Sequence, residues 1–286
     1  MSAEVESDPR RAVDEVSTAD TVTVLPMTAR LGWLRETGIV LGFYYGYQTI
    51  RSLADHGGVT ARAYSNARRL VDLERAVGLF HEQVIQQAFI GAGWFIRLMN
   101  IYYGTLHFVI TVGVLAWLYV RHADVYRRMR NLLGLTTALA LIGYWAFPLA
   151  PPRLYKCNEN IPVPGPDGYS IGKCFIDTLD KVGGLWSYHS PIAKAIANQY
   201  AAMPSLHFAW SMWCGIALYR FARRGRVPGV IYPVLTLFAI VVTANHYFLD
   251  AAGGVIVLVA AGWILHTVDR RRATAVVIPA DAPTGA

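Results

Sequence analysis

Apolar residues run in six long, nearly uncharged stretches, approximately Gly38–Leu53, Asn100–Tyr119, Leu132–Leu149, Ser205–Phe221, Gly229–Ala244 and Leu249–His266. A hydrocarbon core of about 30 Å needs about 20 helical residues, with roughly 17 to 25 tolerated, so each stretch predicts a membrane-crossing helix. The first is short and has Arg35 and Glu36 at its entrance. Between the first two stretches, Ala54–Met99 mixes Arg, Asp and Glu with Leu70, Leu73, Val77 and Phe80. That mixture predicts an amphipathic helix lying along the membrane surface, with a second interfacial piece around Val84–Ile96. The expected fold is therefore all-α, a polytopic six-helix transmembrane bundle with an amphipathic interfacial segment. One long loop, Pro151–Tyr200, interrupts it.

The short loops orient this bundle. Arg127, Arg128 and Arg130 lie between the second and third stretches, Arg220, Arg223, Arg224 and Arg226 between the fourth and fifth, and Arg270–Arg272 beyond the sixth. With six spans all three groups fall on one side, which the positive-inside rule makes cytoplasmic. The Pro151–Tyr200 loop and the turn at His246 then fall on the opposite, extracytoplasmic side. That loop is rich in Pro and Gly (Pro162, Pro164, Gly165, Pro166, Gly168, Gly183, Gly184), which predicts irregular backbone, and loops of this length are usually functional.

Composition agrees with the pattern. Of 286 residues, 54% are hydrophobic and 16% charged, with a mean hydropathy of +0.33; a soluble domain carries about 25% charged residues. The net charge of +7 resides largely in loop arginines beside apolar runs, which marks topology and not a nucleic-acid surface. The first ~25 residues are polar, with no apolar core or nearby small-residue cleavage site, so no cleaved signal peptide is expected. The expected organisation is a cytoplasmic tail over 1–28, a membrane-embedded catalytic domain over 29–268 and a second cytoplasmic tail over 269–286. Cys157 and Cys174 share the long loop and form either a disulfide or two free thiols. Cys214 lies in an apolar run and reads as a packing residue.

The candidate chemistry sits at the ends of the predicted spans. Ala202-Met203-Pro204-Ser205-Leu206-His207 opens the fourth, and His246-Tyr247-Phe248-Leu249-Asp250 lies between the fifth and sixth. Ionisable groups at such places are expensive in lipid and are functional candidates by default. His246 and Asp250 share a helical face. A carboxylate that accepts from one imidazole nitrogen fixes the tautomer and leaves the other to attack. His207, with an unperturbed pKa of ~6.5, suits proton transfer to a departing alkoxide. Ser205 and the free N–H groups opening the fourth helix would bind phosphoryl oxygens, and Arg153 would add a charged fork. Asn245 is a further candidate for a substrate oxygen.

These residues resemble the phosphatidic acid phosphatase type 2 (PAP2) superfamily of membrane phosphatases and lipid phosphotransferases, over about Leu70–His266. Pro204-Ser205-Leu206-His207 matches its Pro-Ser-Gly-His motif with Leu in the Gly position, and His246 with Asp250 matches the His-x3-Asp core of its third motif. Of its Lys-x6-Arg-Pro motif only Arg153 remains, with Ala146 and Leu154 at the other positions; Ala239 and Ile240 replace the third motif's upstream Ser-Arg. Pro-Ser-Leu-His, Ala150–Arg153 and His-Tyr-Phe-Leu-Asp look closer to the Aur1-type branch, the inositol phosphorylceramide synthases. The resemblance implies His246 as nucleophile, Asp250 as its partner, His207 as general acid and a covalent phosphohistidine, with no cofactor and no metal. It implies a phospholipid or sphingolipid-like donor and a lipid hydroxyl acceptor.

Three functions compete: transfer of a phospho-head group between lipids, hydrolysis of a lipid phosphate or polyprenyl diphosphate, and non-enzymatic lipid binding or transport. The missing basic residues favour a phosphodiester over a heavily charged monoester. A transporter predicts interrupted helices near the bilayer midplane, whereas here the ionisable residues sit at helix ends. His107, within the second span, reads as a core or substrate-pocket residue. Lys156, Lys173 and Lys181 read as a solvated loop face that could also meet an anionic head group. Trp186, Tyr188, Tyr200 and Tyr247 read as aromatics anchoring the outer interface.

Overall fold

The computed structural model describes residues 59–276 apart from 159–160, 163, 167 and 186–198, together with seven isolated positions between 32 and 45. The predicted amino-terminal tail, much of the first span, positions 277–286, and Trp186, Tyr188 and His189 lie outside the described residues; the predicted carboxyl-terminal tail begins instead as helix, 269–276 continuing the helix that starts at Phe248. The chain divides into two units, Met1–Tyr45 and Gly46–Ala286. In the first, the described positions are helical, and Leu34, Leu41 and Tyr45 are exposed.

Among its described residues the second unit is mainly helical, with a two-residue antiparallel pairing, Cys157–Asn158 with Ile161–Pro162, inside the long loop and an isolated parallel bridge between Leu149 and Ala201. Helix α1 (Val59–Ala76) is amphipathic and buries Ala63, Tyr64, Ala67, Leu70 and Val71 at helical spacing. Helix α2 (Glu82–Phe89) follows after Gly78 turns the chain at φ 73°. The sequence predicted one interfacial piece around Val84–Ile96; the chain instead breaks after α2, and Gly93 starts a new rod. That rod consists of α3 (Gly93–Ile101), a π-helical turn (Tyr102–Leu106) and α4 (His107–Arg121). Trp94–Ile96 therefore belong to the rod, since no Pro or polar run separates them from the apolar sequence that follows.

Helices α5 (Ala123–Ala146), α6 (Leu206–Phe221), α7 (Arg226–Val242) and α8 (Phe248–Val276) complete the bundle. Among the described residues two helices are long and apolar enough to cross a membrane: Gly93–Arg121, of 29 residues, and Phe248–Arg272, of 25. At about 1.5 Å per residue both exceed a hydrocarbon core of about 30 Å. Helix α7 is apolar but shorter, with Pro233 inside it.

Helices α6 and α7 are packed so closely that a Cβ on Gly215 would stand 2.5 Å from the Gly229 carbonyl oxygen. Trp213, fully buried, donates from Nε1 to the Met129 carbonyl at 2.9 Å and ties α6 to α5. Around it Leu118, Met129, Cys214, Ala217, Val242 and Leu258 form the main core. A second cluster of Tyr64, Leu70, Tyr155, Ile171, Phe175 and Tyr247 packs α1 against the long loop and the segment before α8. Cys174 is disulfide-bonded, which removes the free-thiol alternative there, and Cys214 is a free buried thiol.

Candidate active site

Three helix starts and one loop meet at the site. Ser205 is the N-cap of α6, its Oγ accepting from the Phe208 N–H, and its own N–H donates to the Asp250 carbonyl at 2.9 Å. A hydroxyl cap of this kind satisfies one of the orphan donors of a helix start. The α6–α8 junction is tight: a Cβ on Gly254 would lie 2.5 Å from the Ser205 carbonyl oxygen. The two sequence motifs are thereby held side by side.

At the end of α7 the chain turns through Ala244, whose φ of 55° is a left-handed conformation unusual for a residue with a Cβ. The Ala244 carbonyl accepts from the Arg153 N–H at 2.9 Å, while Asn245 and His246 both donate to the Ile240 carbonyl. Such local strain persists where surrounding bonds over-determine it, as at functional sites.

The His246 ring is buried and fixed on one side. Its Nδ1 lies 2.9 Å from the Ala202 carbonyl oxygen and 3.3 Å from Asp250 Oδ2. Both neighbours are acceptors, so Nδ1 carries the proton and Nε2 holds the lone pair. Asp250, with no exposed surface, also accepts from the Tyr247 N–H at 2.9 Å. The His207 ring lies 5.7 Å from that of His246, centre to centre, and its buried Nε2 has no hydrogen-bond partner. Tyr103, from the π-helical turn, stacks on His207 at 4.1 Å and meets His246 edge-on at 6.3 Å. π-turns inside helices recur at functional sites, where they re-aim a side chain.

All six predicted site residues lie in this region, with His246 in reach of Asp250 and its ring beside that of His207. Arg153 arrives through its backbone bond to Ala244; its Nη1 pairs with Asp177 at 3.3 Å. Asn245 gives its amide to Thr243 Oγ1 at 2.9 Å and keeps Oδ1 buried and unpartnered. His107 is the buried residue expected: its Nδ1 bonds the Tyr232 hydroxyl at 2.9 Å, its Nε2 has no partner among the described residues, and its ring stands 5.0 Å from His207. One expectation changes. Tyr247 does not anchor an interface; it is fully buried, because the segment before α8 folds beneath α1 and the loop. Burial beside Tyr155 and the carboxyls of Asp250, Glu82 and Glu74 pushes its phenol well up from the usual range.

Sequence reasoning missed Tyr103, Glu74 and Glu82. Both glutamates are fully buried; Glu82 Oε1 accepts from the Phe248 N–H at 3.1 Å and Glu74 Oε1 from the Leu249 N–H at 2.8 Å. The available signal was Glu74, which stands at helical spacing with Ala67, Leu70 and Val71 on the apolar face of α1. Among the described residues no group of three or more His, Cys, Asp or Glu is arranged to hold a metal ion.

With the geometry in place, comparison with known proteins is decisive at one level. The family model of the PAP2 superfamily matches residues 68–264, and the chain belongs to that superfamily. No curated protein and no solved structure matches it. Phosphatase- or phosphotransferase-type activity at a membrane is what membership implies, and the two long apolar helices agree with a membrane protein.

Proposed function

We propose that this chain is an integral membrane lipid phosphotransferase that moves a phospho-head group between lipids through a phosphohistidine on His246. The observation that carries the reading is the His246 tautomer, with two acceptors at Nδ1 and the lone pair left on Nε2 beside His207. Nε2 attacks phosphorus as the bond to the leaving oxygen breaks, and His207 gives that oxygen its proton. The acceptor hydroxyl then loses a proton to His207 as its oxygen displaces Nε2, which restores both imidazoles. Asp250 offsets the positive charge that grows on the His246 ring.

Ser205 and Arg153 bind the phosphoryl oxygens, and Asn245 Oδ1 accepts from a substrate hydroxyl. Asp177, paired with Arg153, lowers the net positive charge available there, which favours a phosphodiester over a monoester dianion. The donor is a phospholipid or sphingolipid-like molecule, with phosphoinositol the leading head group by the Aur1-type likeness of the motifs, and the acceptor is a lipid hydroxyl. In this reading six helices span the bilayer, both tails are cytoplasmic and the site opens to the extracytoplasmic side of the plasma membrane.

The test is incubation of purified protein with a lipid donor labelled in its phosphate, with and without a lipid alcohol. Transfer predicts label in a new lipid only when acceptor is present, and acid-labile, base-stable label on the protein that His246→Ala abolishes. Label released only as free phosphate would instead establish the second reading, a lipid phosphate or polyprenyl diphosphate phosphatase on the same site. Lipid binding with no phosphorus chemistry would establish a non-enzymatic protein.

A further inference from the structure

The first amide groups of α8 are received by three carboxyls, and only one of them is local. Tyr247 N–H goes to Asp250, Phe248 N–H to Glu82 at the start of α2, and Leu249 N–H to Glu74 near the end of α1. Helix starts leave four such donors without partners, usually met by a neighbouring side chain or by water. Here the caps come from elements more than 160 residues away in sequence. Glu74 and Glu82 have no exposed surface, and the second oxygen of each meets no donor from any other described group. Their other oxygens accept from adjacent amides, Phe248 and Leu249, so the two carboxyls stand side by side.

Two ionised carboxylates cannot stay so placed, since neither can donate and their charges repel in a medium of low dielectric. One proton between them answers both difficulties. We propose that Glu74 and Glu82 act as a single acid pair sharing one proton, and that this pair is a positioning device holding the helix start that carries His246 and Asp250. Glu74 is the donor: burial, the bond to Glu82 and the charge of Glu82 push its carboxyl up to about 9, and Glu82 is raised by burial but eased by the bond from Glu74.

The other ionisable groups facing the pair are Asp250 and Tyr247 from the α8 segment, with Tyr155 of the loop behind Tyr247. Arg75, the nearest cation on α1, turns away to the Ile171 carbonyl and the Phe80 ring. No cation therefore compensates a second negative charge among these neighbours. Between the ordinary carboxyl value of 4.5 and about 9 the folded chain holds a proton that the unfolded chain has lost. Stability accordingly falls as pH rises through that window, and the helix start loosens at its upper end.

The experiment uses the full chain in detergent, with Glu74→Gln and Glu74→Ala. Gln keeps an oxygen for Leu249 and gives an N–H to Glu82, so it imitates the protonated pair at every pH. Infrared spectra of the wild type should show a protonated carboxylic-acid carbonyl band at neutral pH that titrates away in alkali and is absent from Glu74→Gln. Hydrogen exchange in the segment 246–250 should quicken in alkali relative to Glu74→Gln, and at all pH values in Glu74→Ala. The catalytic consequence rests on the phosphohistidine reading; the shared proton does not, and both physical readouts need no substrate. Where turnover is measurable, Glu74→Gln should keep it and lose the alkaline fall, while Glu74→Ala should drop kcat about 10- to 100-fold. A carbonyl band unchanged in Glu74→Gln, or wild-type and Glu74→Gln profiles that superimpose in exchange across pH, overturns the proposal.

Discussion

At the scale of single residues, Asp250 does two jobs that substitution can separate. Its Oδ2 faces both the His246 Nδ1 and the Tyr247 N–H, and in the proposed mechanism its charge balances the imidazole during attack. Asp250→Asn keeps an acceptor for both groups and removes only the charge. It should lower kcat on the order of 100-fold with little change in thermal midpoint. Asp250→Ala also leaves the buried Tyr247 N–H without a partner, which costs about 1–3 kcal/mol, and should lower activity and melting temperature together. Equal kcat in Asn and wild type would remove the charge-balancing role. His207, His246 and Asp250 were legible in the sequence because each belongs to a short contiguous motif whose chemistry survives without knowledge of packing. Tyr103, Glu74 and Glu82 were not. Each acquires its role from a partner far along the chain, and on its own helix each reads as an apolar-face or surface residue. The Asp177 partner of Arg153 was hidden for the same reason.

At the scale of elements, the site depends on how closely α6 and α8 approach. Gly254 faces the Ser205 carbonyl, and an added Cβ would stand 2.5 Å from that oxygen and 3.3 Å from the Ala209 nitrogen. Both neighbours are backbone and cannot rotate away, so the helices must separate. Gly254→Ala should cost about 1–3 kcal/mol and, by widening the gap between His207 and His246, about 100-fold in turnover. Gly262→Ala on the same helix is the matched control, since its nearest neighbour is a Leu132 methyl at 3.8 Å. Similar losses in both variants would show a general helix effect and not a spacing effect. The apolar runs located the principal helices because length and hydrophobicity suffice for that. They misplaced the start of the Gly93–Arg121 rod, and the π-turn that aims Tyr103 carries no periodic signature at all.

At the scale of the molecule, polar chemistry and positive charge separate to opposite helix ends. Along the chain, α5 begins beside Arg121 and Arg127 and ends before Arg153; α6 begins at His207 and ends at Arg220; α7 begins at Arg226; α8 begins just after His246 and runs out to Arg270–Arg272. Antiparallel neighbours therefore place His207 and His246 at one end and the arginines of 121–130, 220–226 and 270–272 at the other. Between the ends the outer faces expose Val112, Val120, Ile142, Val230, Ile231, Val234, Ile256 and Val259, an apolar girdle suited to lipid tails. If the girdle spans the bilayer with arginines inside, the long loop is outside. Single cysteines can test this with little background, because Cys174 is disulfide-bonded and Cys214 is buried. A membrane-impermeant maleimide on intact cells should label Lys181→Cys, an exposed position in the long loop, and should reach Arg223→Cys only after permeabilisation. The reverse pattern would turn the site toward the cytoplasm, where donor and acceptor would have to come from the inner leaflet.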